Sequence, residues 1–278
     1  MTNKLRDLLK GKLTPEELSI IPSSYDIVGS ILIFSDFPKE LAKKERIIGE
    51  ALLKLHKSIK TVCKKTKKYS GKYRLPKLKI ITGEKIKETI HKENNARLKL
   101  DVEKVYFSSR LSTERKRIFE QVKKNEDILV MFSGCGVYPI TIARNANAKE
   151  IYGIEINPTA HKYALENLKL NKIDGKIKLF LGDVKKILLK INKKFDRILM
   201  PLPKGAENYL DLALSKINKN GIMHFYTFSE EGKYEPIIKT IKKECEKQEN
   251  KCKILRIVKC GQFSPRINRI CVDFRVYW

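Results

Sequence analysis

The chain has 278 residues and 42% hydrophobic content, enough for one large domain and a smaller one, which excludes an intrinsically disordered protein. Its 59 lysines and arginines exceed its 32 acidic residues, and the formal net charge of +27 favours a polyanionic partner such as nucleic acid. Because the N-terminus has no signal-peptide core and no run approaches the roughly eighteen apolar residues of a membrane span, we expect a cytoplasmic protein without a membrane partner.

The excess of positive charge and the spacing of the cysteines further limit the class of protein. A lysine-rich surface of the thermophile type is the alternative explanation of the charge, but such surfaces balance their charges. The six cysteines form no C-x-x-C pair, and the four histidines do not cluster with them along the chain. We therefore expect neither a metal site nor a disulfide framework.

Residues 1–107 are predicted to form a small α+β domain, in which hairpin-like strands lie beside one long amphipathic helix. Gly29 interrupts the first strand and marks a bulge or a bend. The predicted elements are helices at residues 3–10, 15–20 and 38–58, and strands at residues 25–34, 59–63, 78–82 and 96–102.

A basic stretch, KKTKKYSGKYRLPKLKI, starts at Lys64 within this domain. Cations neutralise phosphates and aromatic faces stack on unpaired bases, so the mixture favours binding to RNA loops. An ordinary charged hairpin surface is the alternative. The cations and tyrosines of the basic stretch are Lys64, Lys65, Lys67, Lys68, Tyr69, Lys72, Tyr73, Arg74 and Lys77.

The segment FSSRLSTERKRIFEQV, which starts at Phe107, leads into a second domain of residues 108–278. Ser112 or Thr113 can cap a helix at this point. Glu114 lies in the first turn of that helix, where a carboxylate complements the helix dipole.

A strand, a tight turn, a helix and a second strand are predicted next. Residues 128–132 form a continuous apolar run, which is typical of a strand buried on both faces of a parallel sheet. Gly134 and Gly136 then allow unusual backbone angles and the close approach of a ligand. The second strand ends at Glu155, and an acidic side chain about twenty residues after the glycines can accept hydrogen bonds from both hydroxyls of a ribose. The pattern predicts a ligand that carries a nucleoside.

The spacing does not fit a dinucleotide fingerprint, because Pro139 stands where its third glycine would be. Together with Gly182 and Asp183, which close a third strand at residues 176–181, the region resembles the S-adenosylmethionine site of class I methyltransferases. The resemblance implies that Asp183 faces the adenine amino group. The alternative is an ordinary turn beside a solvated Glu155.

The resemblance implies an α/β domain with the class I methyltransferase (Rossmann-like) seven-stranded sheet. The turn from Pro201 to Lys204, PLPK, follows the fourth strand and is expected to face the reactive end of the cofactor, because the carboxyl ends of parallel strands line the ligand crevice. The remaining elements are predicted as helices at residues 184–191, 207–214 and 235–247 and strands at residues 196–200, 221–226, 254–258 and 270–277.

From about Lys64 onward the chain resembles the archaeal and eukaryotic tRNA guanosine-37 N1-methyltransferase family, in a short form without the extra N-terminal domain. Four segments carry this resemblance: Tyr73-Arg74, FSSRLSTER, the glycine-turn region and PLPK. It implies a monomer that uses S-adenosylmethionine and recognises the anticodon stem-loop of tRNA, with the N-terminal domain binding RNA.

The resemblance also implies roles for individual residues. Guanine N1 carries a proton at neutral pH, so a base must remove it while a cation stabilises the charge that develops toward O6. Glu114 matches the general base and Arg74 the cation. Plainer readings are a helix-terminal carboxylate for Glu114 and a phosphate contact for Arg74. The implied cofactor-binding residues are Phe107, Arg110, Phe132, Gly134, Gly136, Glu155, Ile156, Asp183, Val184 and Pro201, and the implied substrate-binding residues are Lys72, Tyr73, Arg110 and Lys204.

Two positions depart from the family pattern. Val130 stands where the family usually has Asp, and Pro201 stands where it usually has an Asn that helps to hold the guanine. Either the base is held differently or the substrate differs. The alternatives are therefore a wybutosine-pathway enzyme, which transfers the aminocarboxypropyl group of the same cofactor or methylates a tricyclic guanosine derivative, and an RNA-binding module whose methyltransferase fold is vestigial.

Overall fold

The computed structural model describes residues 2–173 and 175–278, except the side chains of residues 2, 3 and 68. The backbone divides into two compact units. Unit 1 comprises Met1–Lys92 and Arg97–Ser109, and unit 2 comprises Glu93–Ala96 and Arg110–Trp278. The side chain of Lys68, one residue of the basic stretch, lies outside the described part of the structure.

Unit 1 has a four-stranded sheet in the order β1-β2-β3-β4, in which only the β2–β3 pair is parallel. Helices α1 and α3 bury their apolar faces in one core cluster with strand residues such as Leu32 and Phe34. The elements are α1 (Thr2–Leu9), α2 (Pro15–Ser19), β1 (Asp26–Val28), β2 (Ile31–Phe34), α3 (Glu45–Leu55), β3 (Thr61–Ser70) and β4 (Leu75–Gly83), followed by a separate pair, β5 (Glu88–Glu93) and β6 (Ala96–Asp101).

The strand predicted at residues 25–34 is wrong, because the chain turns back at Gly29 and forms the antiparallel pair β1–β2. Gly29 has a φ of 56°, and a Cβ there would lie 2.2 Å from the Thr89 hydroxyl and 2.6 Å from the Ile90 carbonyl oxygen. The helix predicted at residues 38–58 is also shorter than expected, since Lys39–Lys44 form a 3-10 turn.

Unit 2 contains a seven-stranded sheet in the order β12-β13-β11-β10-β7-β8-β9, which confirms the predicted α/β class. Strands β7 to β11 are parallel, and β13 is antiparallel to both of its neighbours. The elements are α4 (Ser112–Phe119), β7 (Asp127–Met131), α5 (Val137–Asn145), β8 (Glu150–Glu155), α6 (Pro158–Leu170), β9 (Ile177–Leu181), α7 (Val184–Lys190), β10 (Phe195–Met200), α8 (Leu210–Ser215), β11 (Ile217–Glu230), α9 (Glu235–Glu246), β12 (Lys251–Ser264) and β13 (Ile267–Tyr277).

The centre of this sheet explains the apolar run in the sequence. Ile128, Leu129, Val130 and Met131 of β7 are all fully buried, since helices cover both faces of the sheet. The strand order reverses between β7 and its neighbours β8 and β10, which creates a crevice at the carboxyl ends of these strands. Among the described residues, we find no helix with both the length and the apolar character needed to cross a bilayer.

Substitution of Gly29 tests the turn that the sequence did not predict. We expect Gly29→Ala to lower the free energy of unfolding by about 3 kcal/mol or more, because the new methyl group meets backbone atoms in addition to the backbone strain. Gly11→Ala is the matched control, since Gly11 has a φ of 76° and open space around it, and we expect a loss of about 1 kcal/mol. Equal losses in urea unfolding of the two variants would contradict the steric argument.

Candidate functional site

A glycine turn of residues 133–136 joins β7 to α5. Gly134 and Gly136 have φ angles of 59° and 80°, a region that disfavours other residues. A Cβ on Gly136 would lie 3.2 Å from the Cβ of Ala164 on α6. The turn therefore needs both glycines. Gly134 allows the backbone bend, and Gly136 allows both the bend and the close packing against α6.

Glu155 ties the end of β8 to this turn. Its Oε2 accepts the Gly134 N–H at 2.7 Å, and its Oε1 accepts the Asn157 N–H at 2.7 Å. Burial raises the pKa of Glu155, and the hydrogen bonds from backbone N–H groups oppose that rise. Each carboxylate oxygen has a second lone-pair direction, so the group can also accept hydrogen bonds from ligand hydroxyls.

Two further strand ends lie at the same edge of the sheet. Asp183 caps α7 by accepting the Lys185 N–H at 2.8 Å and stays half-buried, while Val184 is buried behind it. Pro201 follows β10 and is half-buried, and Lys204 in the same turn is exposed. Because β7, β8, β9 and β10 are parallel, these residues and the glycine turn surround one crevice.

Aromatic and apolar side chains complete the lining of this edge. Phe132 has a φ of 60°, an uncommon value for a non-glycine residue, and its ring meets that of Tyr209 edge-on at 5.0 Å. Ile156 is half-buried beside Glu155. Cys135 is buried within the turn, and burial raises its pKa to about 12, so its thiol stays protonated and unreactive.

Glu114 is buried and firmly held, with 5% of its surface exposed. Arg117, one helical turn along α4, donates to both carboxylate oxygens at 2.7 Å, and the Tyr226 hydroxyl of β11 donates to Oε1 at 2.7 Å. The predicted caps at Ser112 and Thr113 are wrong, because Leu111 is the N-cap and makes no side-chain cap. The Ser112 oxygens instead accept hydrogen bonds from the Asn94 side chain.

Sequence reasoning missed the network that continues from Arg117. Arg117 donates to Asp273 of β13, and Asp273 shares a 2.6 Å hydrogen bond with His224 of β11. Arg197 of β10 contacts the other ring nitrogen of His224 at 2.7 Å. Burial disfavours the Asp273 carboxylate, but the bonds to His224 and Arg117 outweigh it and lower the pKa. Burial also lowers the pKa of His224. The only available signal was polar residues at alternate positions of apolar strands.

This network brings His224 close to Cys271, although the histidines and cysteines do not cluster in the sequence. His224, Cys271 and Asp273 place potential metal ligands within 4.8 Å of one another. The two guanidiniums of Arg117 and Arg197 already supply positive charge to this buried cluster, which makes it a poor place for a cation.

The remaining predicted residues belong to unit 1 or to the start of unit 2. Lys72, Tyr73 and Arg74 form the turn between β3 and β4, where Arg74 has a φ of 52° and the other two are exposed. Phe107 lies in unit 1, with its ring edge-on to His91 at 5.1 Å. Arg110 lies in unit 2 and is exposed.

The basic stretch forms the β3–β4 hairpin, and part of its charge is used within unit 1. Lys64 and Lys79 both pair with the buried Glu45. Lys65 lies over the ring of Tyr69 at 4.7 Å. The exposed cations on this hairpin include Lys67, Lys72 and Lys77.

The strand order, the antiparallel β13 and the glycine turn tied to an acidic strand end together define a class I, S-adenosylmethionine-dependent methyltransferase. Comparison with known families agrees with this class. Residues 89–255 match the TRM5/TYW2 methyltransferase domain, and residues 5–86 match the TYW2 N-terminal domain. The chain belongs to the TRM5/TYW2 methyltransferase family, as the sequence motifs predicted.

Individual relatives cover between 78% and 99% of the chain. The chain is 41% identical to tRNA (guanine(37)-N(1))-methyltransferase Trm5b of Pyrococcus abyssi, over 99% of the chain and 80% of that protein. It is 37% identical to tRNA (guanine(37)-N(1))/4-demethylwyosine(37)-methyltransferase Taw22 of Nanoarchaeum equitans, over 78% of the chain and 88% of that protein. A solved complex of aTrm5 with tRNALeu is 33% identical, with a TM-score of 0.84 over 99% of the chain and 78% of that structure.

Removing the central anion of the buried network tests its contribution to stability. We expect Asp273→Asn to lower the free energy of unfolding by about 3 kcal/mol, because it leaves the half-buried Arg117 without one of its anionic partners. The carboxylate stabilises the fold above its unfolded pKa and loses this effect as the pH falls through the lowered folded pKa. Urea unfolding should therefore show a difference at pH 7 that narrows below about pH 4. The exposed Asp211→Asn is the control, and an equally small effect for both variants would contradict the assignment.

Proposed function

We propose that this protein transfers the methyl group of S-adenosylmethionine to N1 of guanosine 37 in tRNA. The observation that carries the proposal is the glycine turn bound to Glu155 in a chain that shares 41% of its residues with an enzyme of that name. The cofactor supplies an electrophilic methyl group on a sulfonium. Incubating the protein with labelled cofactor and unmodified tRNA, followed by mass analysis of the nucleosides, tests the proposal, and a product other than N1-methylguanosine would overturn it.

The residues at the strand ends fit the cofactor. Glu155 would accept the ribose hydroxyls, and Asp183 would accept the adenine amino group. The bare backbone at Gly134 and Gly136 allows close approach, and Phe132 and Pro201 border the crevice. In this arrangement the Glu155 carboxylate would hold both the glycine turn and the ribose of the cofactor.

Glu114 would remove the proton from guanine N1. Arg117 and Tyr226 hold its carboxylate in one orientation, which favours a base that must meet a splayed-out nucleobase in a fixed position. Arg74 would stabilise the negative charge that develops toward O6. Lys72, Tyr73, Arg110 and Lys204, all of them exposed, would contact the RNA.

Replacing Glu114 separates its chemical role from cofactor binding. We expect Glu114→Gln to keep cofactor affinity while the single-turnover rate falls about 10²- to 10⁴-fold, because an amide cannot accept the proton. Glu120→Gln is the matched control, since Glu120 ends the same helix in an exposed pair with Lys116. An unchanged rate for Glu114→Gln would remove this residue from the role of general base.

The two ends of β8 provide a matched test of the cofactor site. Glu155→Ala should weaken cofactor binding about 30-fold or more, because hydrogen bonds to a charged group are lost. Glu150→Ala at the opposite end of the strand, where the carboxylate pairs with Lys178 and Lys193, should leave the affinity unchanged. Calorimetric titration measures both, and equal affinities of the two variants would contradict the assignment.

A second candidate function is methylation of a tricyclic guanosine derivative at the same tRNA position. Pro201 has no side-chain amide to hold guanine, the N-terminal residues match the TYW2 N-terminal domain, and Taw22 carries both activities in its name. Offering tRNA that contains 4-demethylwyosine beside unmodified tRNA discriminates the two functions by product mass. Transfer of the aminocarboxypropyl group would show as a heavier product in the same experiment.

Other expectations stay predictions. A monomeric state, a cytoplasmic location and recognition through the anticodon stem-loop follow from the sequence and the family resemblance. A vestigial methyltransferase would fail to bind the cofactor in titration.

A further inference from the structure

The tip of the β12–β13 hairpin is a cationic projection in unit 2. Near the turn, residues 259–269 contain three basic residues, Lys259, Arg266 and Arg269, and no acidic residue, and Lys259 pairs with the exposed Glu231. A two-residue turn, Pro265-Arg266, joins the strands, and Arg266 has a φ of 66°, which places a charged residue where glycine or asparagine is usual. A polyanion is therefore the partner that this tip favours.

An aromatic pair lies on this tip. The ring of Phe263 is 4.2 Å from that of Phe228 on β11, with 34° between the ring planes. The guanidinium of Arg269 lies 5.8 Å from the centre of the Phe228 ring. Phe263 nonetheless keeps 63% of its surface exposed, so it can accept a second flat group. Stacked aromatic side chains among cations are the usual means of holding an unpaired nucleobase.

The pair lies near the proposed base Glu114. Tyr226, whose hydroxyl donates to Glu114, precedes Phe228 by two residues on β11, so their side chains share one face of the sheet about 7 Å apart. Strand β11 is parallel to β10, and Phe228 lies toward its carboxyl end. The hairpin tip is therefore at the same edge of the sheet as the glycine turn.

We propose that Phe263, supported by Phe228, is a stacking platform for a loop nucleobase next to the methylated one, and that Arg266 binds the adjoining phosphate. The proposal rests on the proposed tRNA substrate. A target base that is splayed out toward Glu114 leaves its neighbour without a stacking partner, and Phe263 replaces that partner. Because every base has a π face, the platform is tolerant of sequence.

The opposite edge of the sheet offers a matched control. Trp278 is also an exposed aromatic residue, at 49%, and Lys194 lies over its ring at 5.2 Å. Trp278 follows the end of the antiparallel β13, and Lys194 precedes β10, so this pair belongs to the amino edge. The Trp278–Lys194 pair therefore also combines an exposed aromatic ring with a cation, but it lies at the edge of the sheet opposite the glycine turn.

The test uses the full chain and an anticodon stem-loop RNA that carries 2-aminopurine next to the target guanosine. We expect Phe263→Ala to weaken RNA binding roughly 5- to 100-fold and to abolish the quenching of 2-aminopurine fluorescence that stacking causes. Phe263→Trp should retain both, and Trp278→Ala should behave as the wild type. Arg266→Gly, which keeps the turn, should weaken binding and reduce its salt dependence.

If Phe263→Ala binds the RNA with wild-type affinity and still quenches 2-aminopurine fluorescence, the proposal that Phe263 is a stacking platform is wrong. A change in sedimentation of Phe263→Ala without a change in RNA binding would also overturn it, by making the tip a protein interface. These measurements need no turnover. They therefore judge the platform separately from the proposed methylation, which fails only if the wild type produces no N1-methylguanosine.

Discussion

The hydrogen bonds from the backbone N–H groups of Gly134 and Asn157 to the Glu155 carboxylate are the constraint on which the candidate site depends. They join the turn after β7 to the end of β8 at the point where the strand order reverses. A buried carboxylate without such bonds would be costly, and burial does raise its pKa. The carboxyl group that orders the turn still has a second lone-pair direction on each oxygen for a ligand hydroxyl.

A second buried network places the proposed base. Glu114, Arg117, Asp273, His224 and Arg197 form a chain of hydrogen bonds and ion pairs from α4 to the centre of the sheet. Buried ion pairs are weak evidence for stability, since desolvation opposes their attraction, but they specify geometry. In this unit they keep α4 in register with β11 and β13. Glu114 thus has a defined position relative to the strand that carries the aromatic pair of the hairpin tip.

The sequence predicted the centre of the sheet well because the β7 run is continuous and apolar and glycines follow it. It failed where tertiary contacts decide, as at Gly29, where the Thr89 and Ile90 atoms of a distant strand exclude a side chain. The length of β3 was missed because lysines dilute its apolar pattern. The Arg117–Asp273 pair joins residues 156 positions apart, so no local pattern reports it. The role of each site residue comes from the family resemblance, and it stays a prediction where geometry alone does not assign chemistry.

A double-mutant cycle between Glu155 and the ribose of the cofactor tests the central claim most directly. It compares the affinities of S-adenosylhomocysteine and its 2′-deoxy analogue for the wild type and for Glu155→Ala. If the carboxylate accepts the ribose hydroxyls, removing the hydroxyl should cost about 1.5 to 3 kcal/mol in the wild type and almost nothing in the variant. Equal losses in both proteins would show that Glu155 orders only the turn and would contradict the account.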